Sequence, residues 1–185
     1  MIKLQKKNTD SKKYILHRAA VVDFDNTLFF TDECTIIASK EIYGRRMPIE
    51  EIRSLSKPEK YRIYRLGFEK YHKKSRPNTL MIRKLKKSDA ELILLTARTK
   101  EDSKTIMSLI ASSGLEFDRL IFRPKKYLSV HDEEWKLGEL NKISKKYDEI
   151  EFYEDKIENI LHAKNDLLGQ KMKCFKVSGA SIKGV

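Results

Sequence analysis

Cysteine is scarce: only Cys34 and Cys174 occur, far apart and without a Cys-x-x-Cys pair. That spacing excludes a disulfide framework and a thiolate zinc site, and it fits a reduced, cytoplasmic setting. Long apolar runs are also missing. No segment approaches the roughly 20 apolar residues a membrane helix needs, and Met1 to Lys13 is polar and basic with no apolar stretch of signal-peptide length. A soluble protein without a membrane partner is expected. The four histidines, His17, His72, His131 and His162, are scattered and form no i, i+4 metal pair, so none is given a role. There are no internal repeats and no low-complexity linker.

What is present is charge. Lys and Arg number 39 against 27 Asp and Glu, a net charge of +12, an excess that attracts polyanions or phosphorylated substrates and makes their binding sensitive to salt. A solvated charged surface accounts for the same excess equally well. With 185 residues, 40% of them hydrophobic, the chain suits one well-packed domain with a modest insertion.

The opening residues 1–13 read as a basic flexible tail. Ala19-Ala20-Val21-Val22 then forms a short apolar run ending in Asp23-Phe24-Asp25, the pattern of a buried parallel strand that delivers polar groups at its C-terminal end. From Thr31 to Arg76 the pattern becomes helical. Tyr61, Tyr64, Phe68 and Tyr71 recur at helical spacing on one face, either to pack a small insertion on itself and the core or to stack nucleotide bases. Pro77 can open a helix that continues from Thr79 to Lys87. Glu91 to Leu95, Arg119 to Phe122, Glu149 to Tyr153 and Lys173 to Val177 read as strands. Helices are expected over 100–113, stopping at Gly114, over 131–146 and over 157–167. Strands alternating with helices predict an α/β fold with a parallel sheet.

Two carboxylates one residue apart at a strand end enter one crevice, where burial is costly unless a cation or a reaction accounts for them. One carboxylate can attack a phosphoryl group, and a second can protonate the leaving oxygen and then activate water. Thr96 follows the strand Leu92 to Leu95, either to donate its hydroxyl to a phosphoryl oxygen or to cap the turn before a helix. Arg98 can fork onto a substrate oxyanion or hold a loop acid.

The stretch Asp23-Phe24-Asp25-Asn26-Thr27 resembles motif I of the haloacid dehalogenase superfamily, Asp-x-Asp-x-Thr/Val after an apolar strand. Thr96 resembles its motif II hydroxyl. Lys136, in Glu134-Trp135-Lys136-Leu137, resembles its motif III lysine, with Lys125 and Lys126 as competitors. Glu154-Asp155, after Glu149 to Tyr153, resembles its motif IV acids. The resemblance spans about residues 19–178 and implies a three-layer Rossmann-like fold: a core from 14–30 and 77–185, with a small helical C1-type cap over 31–76.

It further implies a magnesium-dependent phosphatase acting through an aspartyl-phosphate. Asp23 would be the nucleophile and Asp25 the acid/base. Asp23, the Asp25 carbonyl and Asp155 would hold Mg2+, and Asn26 would offer its backbone N–H to the phosphate with Thr96, Arg98 and Lys136. Two positions depart from the pattern: Asn26 stands where Gly is frequent, and Glu154 where Gly or Asp is.

Leu94 to Arg98, Arg123-Pro124, Lys136 and Tyr153 to Lys156 are similar to a superfamily subgroup associated with RNA repair and polynucleotide phosphatases. Lys156 departs from its usual Arg. A small cap with a basic rim implies an open site, which points to RNA or DNA ends or nucleotides as substrate. The alternatives are a small-metabolite phosphatase and a catalytically silent basic nucleic-acid-binding module.

Overall fold

The computed structural model describes residues 16–165, 172–179 and 181–185. The expected tail over 1–13 and the end of the helix expected over 157–167 lie outside the described residues. Five parallel strands, β5 (Arg119–Phe122), β4 (Glu91–Thr96), β1 (Arg18–Val22), β6 (Glu149–Glu154) and β7 (Met172–Ser178), lie side by side in that order. An antiparallel sixth, β8 (Ser181–Gly184), closes the edge.

Strand β1 is buried on both faces because successive side chains point to opposite sides of a sheet covered by helices. Ala19 and Val21 join Ile93, Phe152, Trp135, Leu140 and Ile160 on one side, against α6 (Asp132–Ser144) and α7 (Ile157–Asn165). Ala20 and Val22 join Leu94, Tyr153, Met81, Leu85 and Ile106 on the other, against α4 (Thr79–Leu85) and α5 (Ser103–Ser112).

Between β2 (Phe29–Phe30) and β3 (Arg76–Pro77), which pair antiparallel, stand three helices: α1 (Asp32–Tyr43), α2 (Ile49–Ser54) and α3 (Lys57–Tyr71). They share a small core of Ala38, Met47, Ile52 and Ile63. The aromatic stripe of α3 serves packing. Phe68 is buried in the sheet-side core, Tyr64 and Tyr71 rest against the small helical core, and Tyr61 is exposed.

Two local expectations are corrected. Pro77 does not start α4; it pairs with Phe29, and Asn78 caps the helix by accepting the Met81 N–H at 3.3 Å. Strand β8 was not expected from its sequence. It is made by a turn through Gly179, at φ 56°, and is held by pairing with β7. Gly114 does adopt the left-handed conformation, with φ 66°.

Helices α1 and α3 meet closely at Gly67, where a Cβ would stand 2.8 Å from the Cys34 carbonyl oxygen, a backbone atom that cannot swing aside. In an open helix Gly→Ala gains about 1 kcal/mol. Here Gly67→Ala is expected to cost about 1–3 kcal/mol by overpacking, seen as a lower unfolding midpoint in thermal or urea denaturation. A raised midpoint would contradict the close approach.

Candidate active site

Strand order reverses about β1, with β4 on one side and β6 on the other. The C-terminal ends of such neighbouring strands border a crevice. Asp23 follows β1, Thr96 ends β4, Glu154 ends β6 and Asp155 follows it. The loop after β1 turns tightly: the Phe24 carbonyl accepts the N–H groups of Leu28 and Phe29 at 3.1 and 3.0 Å.

Asn26 carries the turn at φ 56°, the left-handed region that Gly, and next Asn, tolerates. Its amide is fixed at both ends, Nδ2 donating to Asp32 Oδ1 at 2.8 Å and Oδ1 accepting the Thr31 N–H at 3.1 Å. Its backbone N–H donates to the Phe29 carbonyl at 2.6 Å, closing the turn.

Asp23 and Glu154 are buried around one cation. Lys136 Nζ, itself buried, donates to Asp23 Oδ1 and Glu154 Oε2, each at 2.6 Å. The competing lysines lie elsewhere: Lys125 pairs with Glu101 and Lys126 rests over the Tyr127 ring. The other oxygen of Glu154 accepts the N–H groups of Asp155 and Lys156 at 3.1 and 3.0 Å, so both its oxygens are engaged by the protein.

Burial and the neighbouring Glu154 and Asp25 charges push Asp23 up to about 7 against the pull of Lys136. Burial, Asp23 and Glu154 push Asp155 up to about 9. Burial opposes ionisation of Glu154, yet the Lys136 charge together with the hydrogen bonds from Asp155, Lys136 and Lys156 holds it below the usual range. One oxygen from each of the three acids lies within 4.8 Å of the others. Such crowded hard donors, oversupplied with negative charge, fit a divalent cation that prefers oxygen ligands.

Asn159, in the first turn of α7, is a residue that sequence analysis did not single out. It is buried, and among the described residues neither of its side-chain polar atoms is hydrogen-bonded.

Asp25 is held differently. Arg98 forks onto it, Nε at 2.9 Å from Oδ2 and Nη2 at 2.7 Å from Oδ1, and Thr31 Oγ1 donates to Oδ1 at 2.7 Å. Burial opposes ionisation, yet the Arg98 charge and these hydrogen bonds hold Asp25 below the usual carboxylate range. Of the two roles open to Arg98, the structure therefore places it on a loop acid; its remaining Nη1 is 4.0 Å from Asp102. Thr96, fully buried, accepts the Arg98 N–H at 3.2 Å, which is the turn-capping role.

Sequence analysis also missed Thr31 as a partner of Asp25, and the chain in which buried Arg123 binds Asp132 and Asp132 accepts Lys156 at 2.9 Å. A Thr ahead of an acidic helix start was the available signal for the first. The second had none, because its members meet only through space.

No protein-family model matches the sequence, and no curated protein does. Solved structures do match. A haloacid dehalogenase-like family hydrolase from Streptococcus pneumoniae superposes with a TM-score of 0.57 at 13% identity, covering 81% of this chain and 80% of its own. A provisionally assigned phosphatase from Clostridium difficile gives 0.57 at 16%, covering 86% and 84%. A provisionally assigned phosphoglycolate phosphatase from Lactobacillus delbrueckii subsp. bulgaricus gives 0.56 at 14%, covering 86% and 85%. The chain has the haloacid dehalogenase-type α/β fold.

The crowding at Asp155 predicts a trade between stability and ion binding. Asp155 is pushed up to about 9 in the fold but is ionised in the unfolded chain at pH 7, so folding must take up a proton; Asp155→Asn removes that cost and should raise metal-free stability by about 1 kcal/mol or more at pH 7. In wild type, saturating Mg2+ should add about 2.7 kcal/mol at a hundredfold excess over its Kd, and the variant should lose that gain. Thermal melts of both proteins with and without Mg2+ check this. A variant still stabilised by Mg2+ would place the ion elsewhere.

Proposed function

We propose that the chain is a magnesium-dependent phosphomonoester hydrolase working through an aspartyl-phosphate on Asp23. The observation that carries this reading is the buried Lys136 held between Asp23 and Glu154 at 2.6 Å each, beside Asp155, at the adjoining ends of β1 and β6. The haloacid dehalogenase-type fold of solved hydrolases supports it. Residues 31–76 serve as its cap.

In this reading Lys136 fixes Asp23 through Oδ1 and leaves Oδ2 as the attacking atom. The bond from Oδ2 to phosphorus forms as the ester oxygen leaves, and Asp25, ionised in the free site, relays to that oxygen the proton carried by a singly ionised phosphate ester. Asp25, again a carboxylate gripped by Arg98 and Thr31, then takes a proton from the water that releases phosphate and restores Asp23. The Thr96 hydroxyl proton is available to a phosphoryl oxygen because the turn uses only its acceptor side. Lys136 offsets the charge that gathers around Asp23. Asp23, the Asp25 carbonyl and Asp155 would hold Mg2+, which would supply charge neutralisation and substrate orientation. Glu154 serves by anchoring Lys136.

For the substrate we favour a small phosphorylated metabolite over RNA or DNA ends. Helix α3 is fastened over the core: Lys57 Nζ donates to the Ser129 carbonyl at 3.3 Å. The Tyr64 phenol, raised by burial, sits in the field of Lys156, Arg53, Asp32 and Asp25. A cap that reaches the acids encloses a small ester better than a polymer end. One solved neighbour is itself provisionally assigned as a phosphoglycolate phosphatase, and none of the comparisons supports a nucleic-acid substrate. A silent nucleic-acid-binding role would leave the raised carboxylates Asp23 and Asp155 without use.

Phosphate release from phosphoglycolate, sugar phosphates, mononucleotides and end-phosphorylated oligonucleotides, with Mg2+ and with EDTA, tests this. Turnover of small esters is expected, lost in EDTA and reduced at least about 10³-fold in Asp23→Asn. Preferred turnover of oligonucleotides would restore the nucleic-acid substrate. No turnover, together with salt-sensitive RNA binding unchanged in Asp23→Asn, would favour the binding module.

A further inference from the structure

Arg98 is held on three sides, and the third comes from the cap. The Phe68 ring of α3 lies 3.7 Å from Arg98 Cζ, the separation of a guanidinium stacked on an aromatic face. A two-point fork onto Asp25 sets where the guanidinium sits in its own plane, but leaves it free to rock about the line joining the two carboxylate oxygens. A ring against its face blocks that motion.

Phe68 is itself tied to the acid-bearing loop. It meets Phe24, the residue between Asp23 and Asp25, edge-to-face at 5.9 Å and 89°, and Phe24 stacks on Phe29 at 5.3 Å. Its chain neighbour Gly67 is where α3 presses on the α1 backbone at Cys34. The placement of α3 is thereby passed to one side chain that touches both the loop and Arg98.

We infer that Phe68 is a positioning residue: by stacking on Arg98 it fixes the guanidinium that aims the Asp25 carboxylate, so that docking of the cap helix sets the geometry of the acid/base. This rests on the phosphatase reading for its consequence, though not for its structural content. Phe68 touches no substrate in this account. It acts only through Arg98, so its loss should weaken the chemical step while leaving a small ester's binding intact, as misplacing a catalytic group by about 1 Å can cost about 10²-fold.

The test is a double-mutant cycle on Phe68→Leu and Arg98→Lys, with Phe68→Tyr as the conservative variant, all checked for folding by thermal melt. Kinetics use p-nitrophenyl phosphate with Mg2+, and the Arg98 Nε–H signal is followed by 15N NMR. Phe68→Leu should lower kcat about 10- to 100-fold with KM within about twofold, and Phe68→Tyr should retain most of kcat. The double variant should be no slower than Arg98→Lys alone, since residues acting as a unit are non-additive. The Arg98 Nε–H should exchange slowly in wild type and Phe68→Tyr, and quickly in folded Phe68→Leu.

Losses that multiply in the double variant, or a Phe68→Leu protein with unchanged kcat and a protected Nε–H, would overturn the inference. If Phe68→Leu does not fold, Phe68→Met, which keeps the core filled without an aromatic face, must show the loss of kcat and the fast Nε–H exchange or the inference fails. Absence of any Asp23-dependent turnover in wild type would sink the phosphatase reading by itself, and the exchange measurement would still decide whether Phe68 fixes Arg98.

Discussion

The ammonium of Lys136, buried between Asp23 and Glu154, is the interaction on which the rest of the site depends. Desolvating an ion is expensive, and removing one member of a buried charge pair typically costs about 3–5 kcal/mol because the other is left uncompensated. Two strands and a helix meet to make the compensation possible. β1 brings Asp23, β6 brings Glu154, and α6 inserts Lys136 from the far side of the sheet core through the packing of Trp135, Leu140 and Ile143. Every other polar feature is arranged around the charge that this triad leaves over, which is negative.

That surplus divides the acids by environment. Asp25 is given its own cation and stays ionised. Asp23 and Asp155 share a buried space without enough positive charge and are pushed toward protonation. Groups of one chemical type driven apart in proton affinity by their surroundings characterise sites that carry out chemistry or bind metal more than sites that only stabilise a fold. The same arrangement gives Glu154 a defined place. With Lys136 on one oxygen and two backbone N–H groups on the other, it braces the ammonium and the loop carrying Asp155.

The helical segment between β2 and β3 is joined to this centre by touch. Thr31, at its start, donates to Asp25; Asp32 receives the Asn26 amide; Phe68 lies on Arg98. A tight aromatic and hydrogen-bonded seam of this kind makes the segment a wall of the site. The physical consequence is that a change in helix packing far from the acids, as at Gly67, alters how they are held.

Sequence alone determined β1, β4, β5, β6 and β7, the helices between them and the acids at strand ends, because these follow from local rules. A short apolar run bounded by polar residues makes a buried strand, and its C-terminal residue must surface in the crevice. It determined the left-handed stop at Gly114 for the same reason. Tertiary structure decided everything that depends on a through-space partner. Among 39 basic residues nothing local marks Lys136 as buried or Arg98 as the partner of Asp25. Nothing local turns the Asn26 N–H toward Phe29 or pairs β8 with β7. Burial and charge neutralisation are properties of a neighbourhood, and that neighbourhood exists only once distant strands and helices have been brought together.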